Sequence, residues 1–165
     1  MVKLAIQIKA QLEAVTDLKP LGEDFHYYVK VSCSSCREEH PNFVTLDATE
    51  TQEIPGSRGE ANLVWRCQMC KREHTINFDS SFKREKAAYT LEESEEQKYA
   101  TIAVVECRGC EVTAFDPKGT WTCKGAESGT VFDEVELEEG EWTDYDEKAG
   151  AGVSILEIEA RVQRA

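Results

Sequence analysis

The sequence predicts an all-β fold, a sandwich-like or barrel-like arrangement of short strands, from three observations. Apolar and polar residues alternate with a period of two near both ends of the chain. No long segment shows the 3.6-residue period of an amphipathic helix. Glycine and proline residues separate the short apolar segments, as they do between the strands of sandwiches and barrels.

The first predicted strand covers residues 4–12, where every second residue is apolar and indicates one buried face. A turn is expected at 19–22 and a loop at 54–59, because both contain proline followed closely by glycine. The other apolar segments of the first half predict strands at residues 25–31, 43–46, 61–66 and 75–78.

A charged connector is predicted at residues 80–98, where Thr90 followed by Glu93 indicates the capped start of one short helix. Strands resume after it, at residues 99–106, 112–115, 120–123, 131–137 and 154–162. We therefore expect a β unit that carries the metal site at 1–79 and an acidic β unit at 99–165. Similar motifs occur in the same order in both ranges, which suggests that one β unit was duplicated. A single continuous domain is the alternative.

Two C-x-x-C hooks are the strongest chemical signal in the chain. Cys33 and Cys36 form the first hook, and Cys67 and Cys70 form the second. Four thiolates arranged as two such pairs can close a tetrahedron around one Zn²⁺. A closed shell leaves no position for a reacting water, so the hooks predict a structural zinc site rather than a catalytic one.

Two alternatives to zinc remain open from the residues alone. A thioredoxin-type dithiol would sit where a strand meets a helix, and no helical period follows Cys36. A disulfide framework would suit a secreted chain, and the N-terminal residues lack the pattern of a signal peptide. His40 and His74 each lie four residues after a hook. Because the thiolates already fill the shell, we expect both rings to lie beside the site or in solvent.

A third C-x-x-C, Cys107 and Cys110, has no matching hook, and Cys123 would supply only a third thiol. We interpret these three cysteines as buried or idle thiols. Seven cysteines, mostly in hooks, favour a reducing compartment, so we expect a cytoplasmic protein, with the nucleus as a second location.

The net charge of −13 is uneven. Residues 1–90 contain 12 basic and 13 acidic residues, whereas residues 91–165 contain 7 and 19. So acidic a chain is not expected to bind nucleic acid, and no apolar run is long enough to span a bilayer. The partner we expect is another protein, contacted through the acidic half of a monomer.

The sequence also resembles the eukaryotic CXXC-motif-containing zinc-binding proteins, a family long classed as uncharacterised. The resemblance rests on both hooks and on four further segments along the chain, at residues 18–25, 106–109, 127–130 and 142–148. It implies an elongated all-β fold and one zinc on Cys33, Cys36, Cys67 and Cys70, with no established catalytic activity. The function predicted at this point is a non-enzymatic interaction module, and the alternative is a metal-handling or thiol-redox protein.

Overall fold

The computed structural model describes residues 1–137 and 139–165 and confirms the all-β prediction. The strands of the first half are β1 (Val2–Glu13), β2 (Val15–Pro20), β3 (Tyr27–Cys33), β4 (Val44–Leu46), β5 (Gln52–Glu53), β6 (Glu60–Ala61), β7 (Leu63–Arg66) and β8 (Glu73–Phe78). A 3-10 turn (Arg84–Lys86) and the helix α1 (Leu91–Glu95) follow. The remaining strands are β9 (Ala100–Arg108), β10 (Cys110–Asp116), β11 (Thr120–Gly125), β12 (Val131–Glu136), β13 (Trp142–Asp146) and β14 (Ala151–Arg164).

The strands form one large and three small antiparallel sheets. The large sheet has the order β13-β14-β1-β9-β8-β7, and two three-stranded sheets have the orders β10-β3-β4 and β12-β11-β2. Strands β5 and β6 pair only with each other. The sheets curl around one cluster of buried apolar side chains, which agrees with the predicted barrel-like arrangement.

Strand pairing crosses the charged connector repeatedly. β1 lies between β14 and β9 in the large sheet, β3 pairs with β10, and β2 pairs with β11. The predicted division into 1–79 and 99–165 is therefore not a division of the sheets. The division into two units stays a prediction, with one continuous domain as its alternative.

An aromatic group in the core fixes β3, the strand that leads into the first hook. The ring of Phe25 contacts Tyr27 and Trp121 edge-on, with ring centroids 4.9 and 5.4 Å apart. Tyr27 and Trp121 are almost completely buried. Each such side chain contributes about 1.5–3 kcal/mol by leaving water. The hook at the end of β3 thus extends from a rigid strand.

Two long strands were not predicted, for different reasons. In β2 the buried residues Val15 and Leu18 are three apart, because a bulge with Asp17 in the left-handed conformation (φ 56°) interrupts the alternation. The strand β13 lies in a run of acidic residues, in which no period-two alternation indicates a strand. Its last residue, Asp146, is buried and accepts hydrogen bonds from Ser128 and Thr130.

The short helix was predicted correctly. Thr90 caps α1 by accepting a hydrogen bond from the backbone N–H of Glu93, and the Glu93 carboxylate accepts the N–H of Thr90 in return. The hydroxyl of Ser94 then joins the helix to β1 through the carbonyl of Ala10 and the N–H of Leu12. Within the described ranges, no helix has the length and apolar character needed to cross a membrane.

Candidate metal centre

Both predicted hooks are turns that follow strands. The first starts at Cys33, the last residue of β3, and the second starts at Cys67, directly after β7. In the first turn the N–H of Cys33 donates to the carbonyl of Glu38 (2.8 Å), and the N–H of Arg37 donates to the carbonyl of Cys33 (2.9 Å). These two bonds return the chain on itself and leave the sulfurs at the tip.

The second hook repeats this backbone 34 residues later. The N–H of Cys67 donates to the carbonyl of Arg72, and the N–H of Lys71 donates to the carbonyl of Cys67, both at 2.9 Å. Arg37 (φ 65°) and Lys71 (φ 63°) both take the left-handed conformation directly after the second cysteine of their hook. The similar sequences after the two hooks therefore fold into equivalent turns.

The two turns bring all four cysteines together. The Sγ atoms of Cys33 and Cys70 are 3.6 Å apart, those of Cys36 and Cys67 are 3.5 Å apart, and all four lie within 4.8 Å of one another. A disulfide needs about 2.05 Å between its sulfurs. Tetrahedral zinc with bonds of about 2.3 Å places its sulfur ligands about 3.8 Å apart. The donor set and its spacing therefore fit a four-coordinate zinc ion.

The electrostatics of the cluster also favour a cation. Burial opposes ionisation of the Cys33 thiol, but the N–H groups of Cys36 and Ser35, with Cys70 and His74, lower its pKa to about 6. At Cys36 the N–H of Glu38 favours the thiolate, yet burial and the three neighbouring sulfurs outweigh it and raise the pKa to about 12. Without a cation, four adjacent thiolates cannot all be ionised. A bound Zn²⁺ removes this conflict.

Basic side chains surround the cluster from the two turns. The guanidinium of Arg72 donates to the hydroxyl of Ser35 (3.0 Å) and so joins the second turn to the first. Nε of Arg66 donates to the carbonyl of Lys71 (3.2 Å) and braces the second turn. These charges lie where the net −2 of a zinc ion with four thiolates would be partly offset.

The two histidines have different surroundings although their sequence positions match. His74 is buried in β8, with Nε2 3.1 Å from Sγ of Cys33 and its ring against Trp65. A proton on Nε2 would be donated to the Cys33 thiolate. His40 is half-buried, and its Nδ1 accepts the N–H of Asn42. His74 therefore supports a sulfur, whereas His40 stabilises its own loop.

A feature that the sequence did not indicate is the contact between His74 and Gly109. Nδ1 of His74 is buried and has no hydrogen-bond partner among the described residues. A Cβ atom at Gly109 would collide with this Nδ1, and Gly109 has a φ of 80°. The glycine thus permits both a left-handed corner and the close approach of the ring.

The third C-x-x-C does not join the cluster. Cys107 is the last residue but one of β9, Cys110 begins β10, and Cys123 lies in β11; all three are buried. Burial raises the pKa of Cys123 to about 12, and the neighbouring Cys107 sulfur raises that of Cys110. In the part of the chain that the structure describes, the metal-ligand grouping contains only the four cysteines of the two hooks.

Fold and site together define a class: an all-β protein in which two equivalent turns form a four-cysteine cluster suited to zinc. The chain belongs to the eukaryotic family described as CXXC motif containing zinc binding protein, whose model matches residues 5–163. This finding agrees with the resemblance recognised in the sequence, and it supports zinc as the ion.

The similarity extends over nearly the whole chain. A UPF0587 protein of Schizosaccharomyces pombe is 42% identical over 164 residues, covering 99% of both chains. A mouse protein named CXXC motif containing zinc binding protein is 42% identical over 156 residues, covering 94% of each. A crystal structure of C1orf123 superposes with a TM-score of 0.88 at 37% identity, covering 99% of both chains.

Proposed function

We propose that the chain is a non-enzymatic protein that binds one Zn²⁺ per molecule on Cys33, Cys36, Cys67 and Cys70 and uses the zinc-stabilised surface to contact another protein. The closed set of four thiolate donors is the observation that carries this proposal. It fills the tetrahedral shell of zinc and leaves no coordination position for a substrate. Zinc would lock the two turns together.

A groove beside the cluster is the best candidate for the contact surface. It has a volume of about 390 Å³, and its walls come from both turns and from the loop after the first. Trp65 supplies apolar surface from β7 and Met69 from the second turn, and Met69 is 69% exposed. Phe43, next in sequence to the groove residue Asn42 and directly before β4, is 43% exposed. Exposed apolar side chains grouped on a charged surface are typical of protein contact sites.

The acidic half remains a second possible contact face. Most of the side chains of residues 131–137 and 139–147 are exposed, and Val131 is 59% exposed. The groove is the more specific proposal because both of its walls depend on the zinc turns. A partner that binds there should be lost when zinc is lost, whereas a partner of the acidic face should be retained.

Affinity purification with matched variants tests the proposal. The tagged wild-type protein is compared with Cys67→Ser, which breaks the cluster, and with Met69→Asp, which places a charge in the groove. Val131→Asp is the control, because it adds the same charge at an exposed apolar residue of the acidic half. We expect partners to be lost with the first two variants only. Loss with Val131→Asp alone would assign the contact to the acidic face.

A metal-handling or thiol-redox role is the second candidate, and the exposure of the sulfurs favours it. Cys33 and Cys67 are buried, but Cys36 is exposed and Cys70 is half-buried. Reagents can therefore reach one side of the site. Slow zinc exchange and thiols inert to peroxide would favour the structural role, and fast exchange would favour metal handling. For either role we propose a monomer in the reducing environment of the cytoplasm or nucleus.

A further inference from the structure

The buried Cys110 lies directly opposite a predicted zinc ligand. In the pairing of β10 with β3, Cys110 faces Cys33. The N–H of Ser34 donates to the carbonyl of Gly109 (3.0 Å), so the hydrogen bonds of this ladder flank the cysteine pair rather than join it. Cys33 and Cys110 therefore form a non-hydrogen-bonded pair, in which facing side chains are closest.

This register is compatible with a disulfide. Facing residues of a non-hydrogen-bonded pair have Cα atoms about 4.5 Å apart, and disulfides span about 4.4–6.8 Å between Cα atoms. Facing residues also point to the same side of the sheet, and both cysteines are buried. The register therefore places the two cysteines within the Cα span that a disulfide can bridge.

The other two buried thiols have no cysteine of the cluster opposite them in the paired strands. Cys107 faces Val2 on β1 and Ile76 on β8. Cys123 faces Phe132 on β12. Of the three cysteines outside the cluster, Cys110 alone is paired with a cysteine of the cluster in the described ladders. The strand register thus distinguishes Cys110 from thiols that merely fill the core.

We propose that Cys110 is a resolving thiol that forms a disulfide with Cys33 when a hydroperoxide oxidises the cluster. The inference rests on the four-cysteine site of the proposed function and adds a modification site to it. A disulfide removes Cys33 from the ligand set, so the zinc is released. Reduction by a dithiol restores all four ligands and allows zinc to bind again.

The reaction begins at the exposed sulfur. The Cys36 thiolate attacks one oxygen of the hydroperoxide and becomes a sulfenic acid as the O–O bond breaks. The other oxygen takes up one proton and leaves as an alcohol or water. The Cys33 thiolate attacks the Cys36 sulfur, the S–O bond breaks, and hydroxide leaves. The Cys110 thiol then attacks Cys33, the bond between Cys33 and Cys36 breaks, and the proton of Cys110 passes to Cys36.

Disulfide mapping tests the proposal on the full chain. Zinc-loaded protein is treated with hydrogen peroxide, free thiols are alkylated, and tryptic peptides are analysed by mass spectrometry without reduction. Trypsin leaves Cys33 and Cys36 together on residues 31–37 and separates Cys107 from residues 109–118, which hold the resolving thiol. We expect a link between these two peptides, assigned to Cys33 by fragmentation, together with zinc release that dithiothreitol and added zinc reverse.

Two variants provide the controls. Cys110→Ala should abolish the link and leave Cys33 joined to Cys36, whereas Cys107→Ala, at the same corner, should retain the link. An oxidised wild-type protein in which Cys110 is fully alkylated, or is joined to Cys107, would overturn the proposal. The wild-type mapping decides the question even if a variant fails to fold.

The proposal and the proposed function can fail separately. The zinc content before oxidation tests the function, and the disulfide map tests the role of Cys110. A zinc-loaded protein whose Cys110 remains alkylated contradicts only the inference. A protein that forms the link but never contained zinc contradicts only the proposed function.

Discussion

The chain contains C-x-x-C motifs in two different backbone settings. Cys33 and Cys36 sit in a tight turn, and Cys67 and Cys70 sit in another. In both turns a left-handed residue directly follows the second cysteine. Cys107 and Cys110 sit at the junction of β9 and β10, where the left-handed residue is Gly109, between the cysteines. In the first setting both sulfurs point to one centre, whereas in the second they are buried in the sheets.

The comparison teaches that spacing alone does not create a metal ligand pair. What distinguishes the two turns is the pair of backbone hydrogen bonds that closes each one, with Arg37 or Lys71 in the left-handed conformation. The corner at Gly109 serves the site in another way, because it packs against His74 and lies beside Cys33 on the next strand. The predictions below test whether the two turns bind the metal and the corner at Gly109 only packs against them.

The largest effect is expected from Cys67→Ser, which removes a buried ligand of the cluster. Zinc binding contributes about 10–16 kcal/mol in isolated zinc-finger peptides, and whole domains are stable by only about 5–15 kcal/mol. We expect loss of bound zinc and a strongly lowered midpoint of thermal unfolding, measured by elemental analysis and circular dichroism. Cys123→Ser is the control and should keep its zinc. Equal zinc loss in both variants would contradict the division between cysteines that bind the metal and cysteines that pack in the core.

Chelation of zinc should loosen the backbone unevenly. We expect the greatest loss of hydrogen-exchange protection in the two turns and in the strands that lead into and out of them, within residues 27–40 and 63–78. Because β8 pairs with β9, and β3 with β10, a smaller loss should reach residues 105–112. Residues 151–164 should remain protected. Equal loss everywhere would show one cooperative core, and no loss would show that the metal is not structural.

Replacing His74 tests whether a neighbouring ring tunes the cluster. Residues that hydrogen-bond to metal ligands typically change metal affinity by about 10–100-fold when mutated. We expect His74→Ala to weaken zinc binding by a factor in this range, measured by competition with a chromogenic chelator. His40→Ala is the control and should leave the affinity unchanged, because the His40 ring bonds to Asn42. The reverse order of effects would assign the supporting role to His40.

A further effect is expected at the corner between β9 and β10. Gly109→Ala places a methyl group at a left-handed residue, which costs about 1–2 kcal/mol, and the collision with His74 adds about 1–3 kcal/mol. Gly129→Ala is the matched control, with a φ of 73° and no neighbouring atom within 4 Å of the added carbon. Equal losses of unfolding free energy in the two variants would show that packing against His74 is not tight.

Much of this arrangement could be predicted from sequence, because local patterns specify it. Alternation predicted β1 and β14, and the two C-x-x-C hooks predicted the four-cysteine cluster. β2 was missed because a bulge at Asp17 shifts its buried residues out of period two. β13 was missed because its one buried acid, Asp146, is stabilised by Ser128 and Thr130, which lie far from it in sequence.

The parts of the site that sequence did not predict depend on pairing between distant strands. The position of Cys110 opposite Cys33 follows from the register of β10 on β3, which joins residues 77 positions apart. His74 and His40 have matching sequence positions, yet only His74 lies within a strand of the large sheet. Local sequence could not distinguish them, because the difference comes from which strands enclose each ring.

The zinc content of protein purified without added metal tests the central claim most directly. The wild-type chain and a variant with Cys107, Cys110 and Cys123 all replaced by serine should both contain one equivalent of zinc by elemental analysis. Substoichiometric zinc, together with a disulfide between Cys33 and Cys36 in mass spectrometry, would contradict the account and favour a redox dithiol. About two equivalents in the wild type, half of them lost in the triple variant, would instead indicate a second binding site, because one tetrahedral zinc ion takes only four ligands.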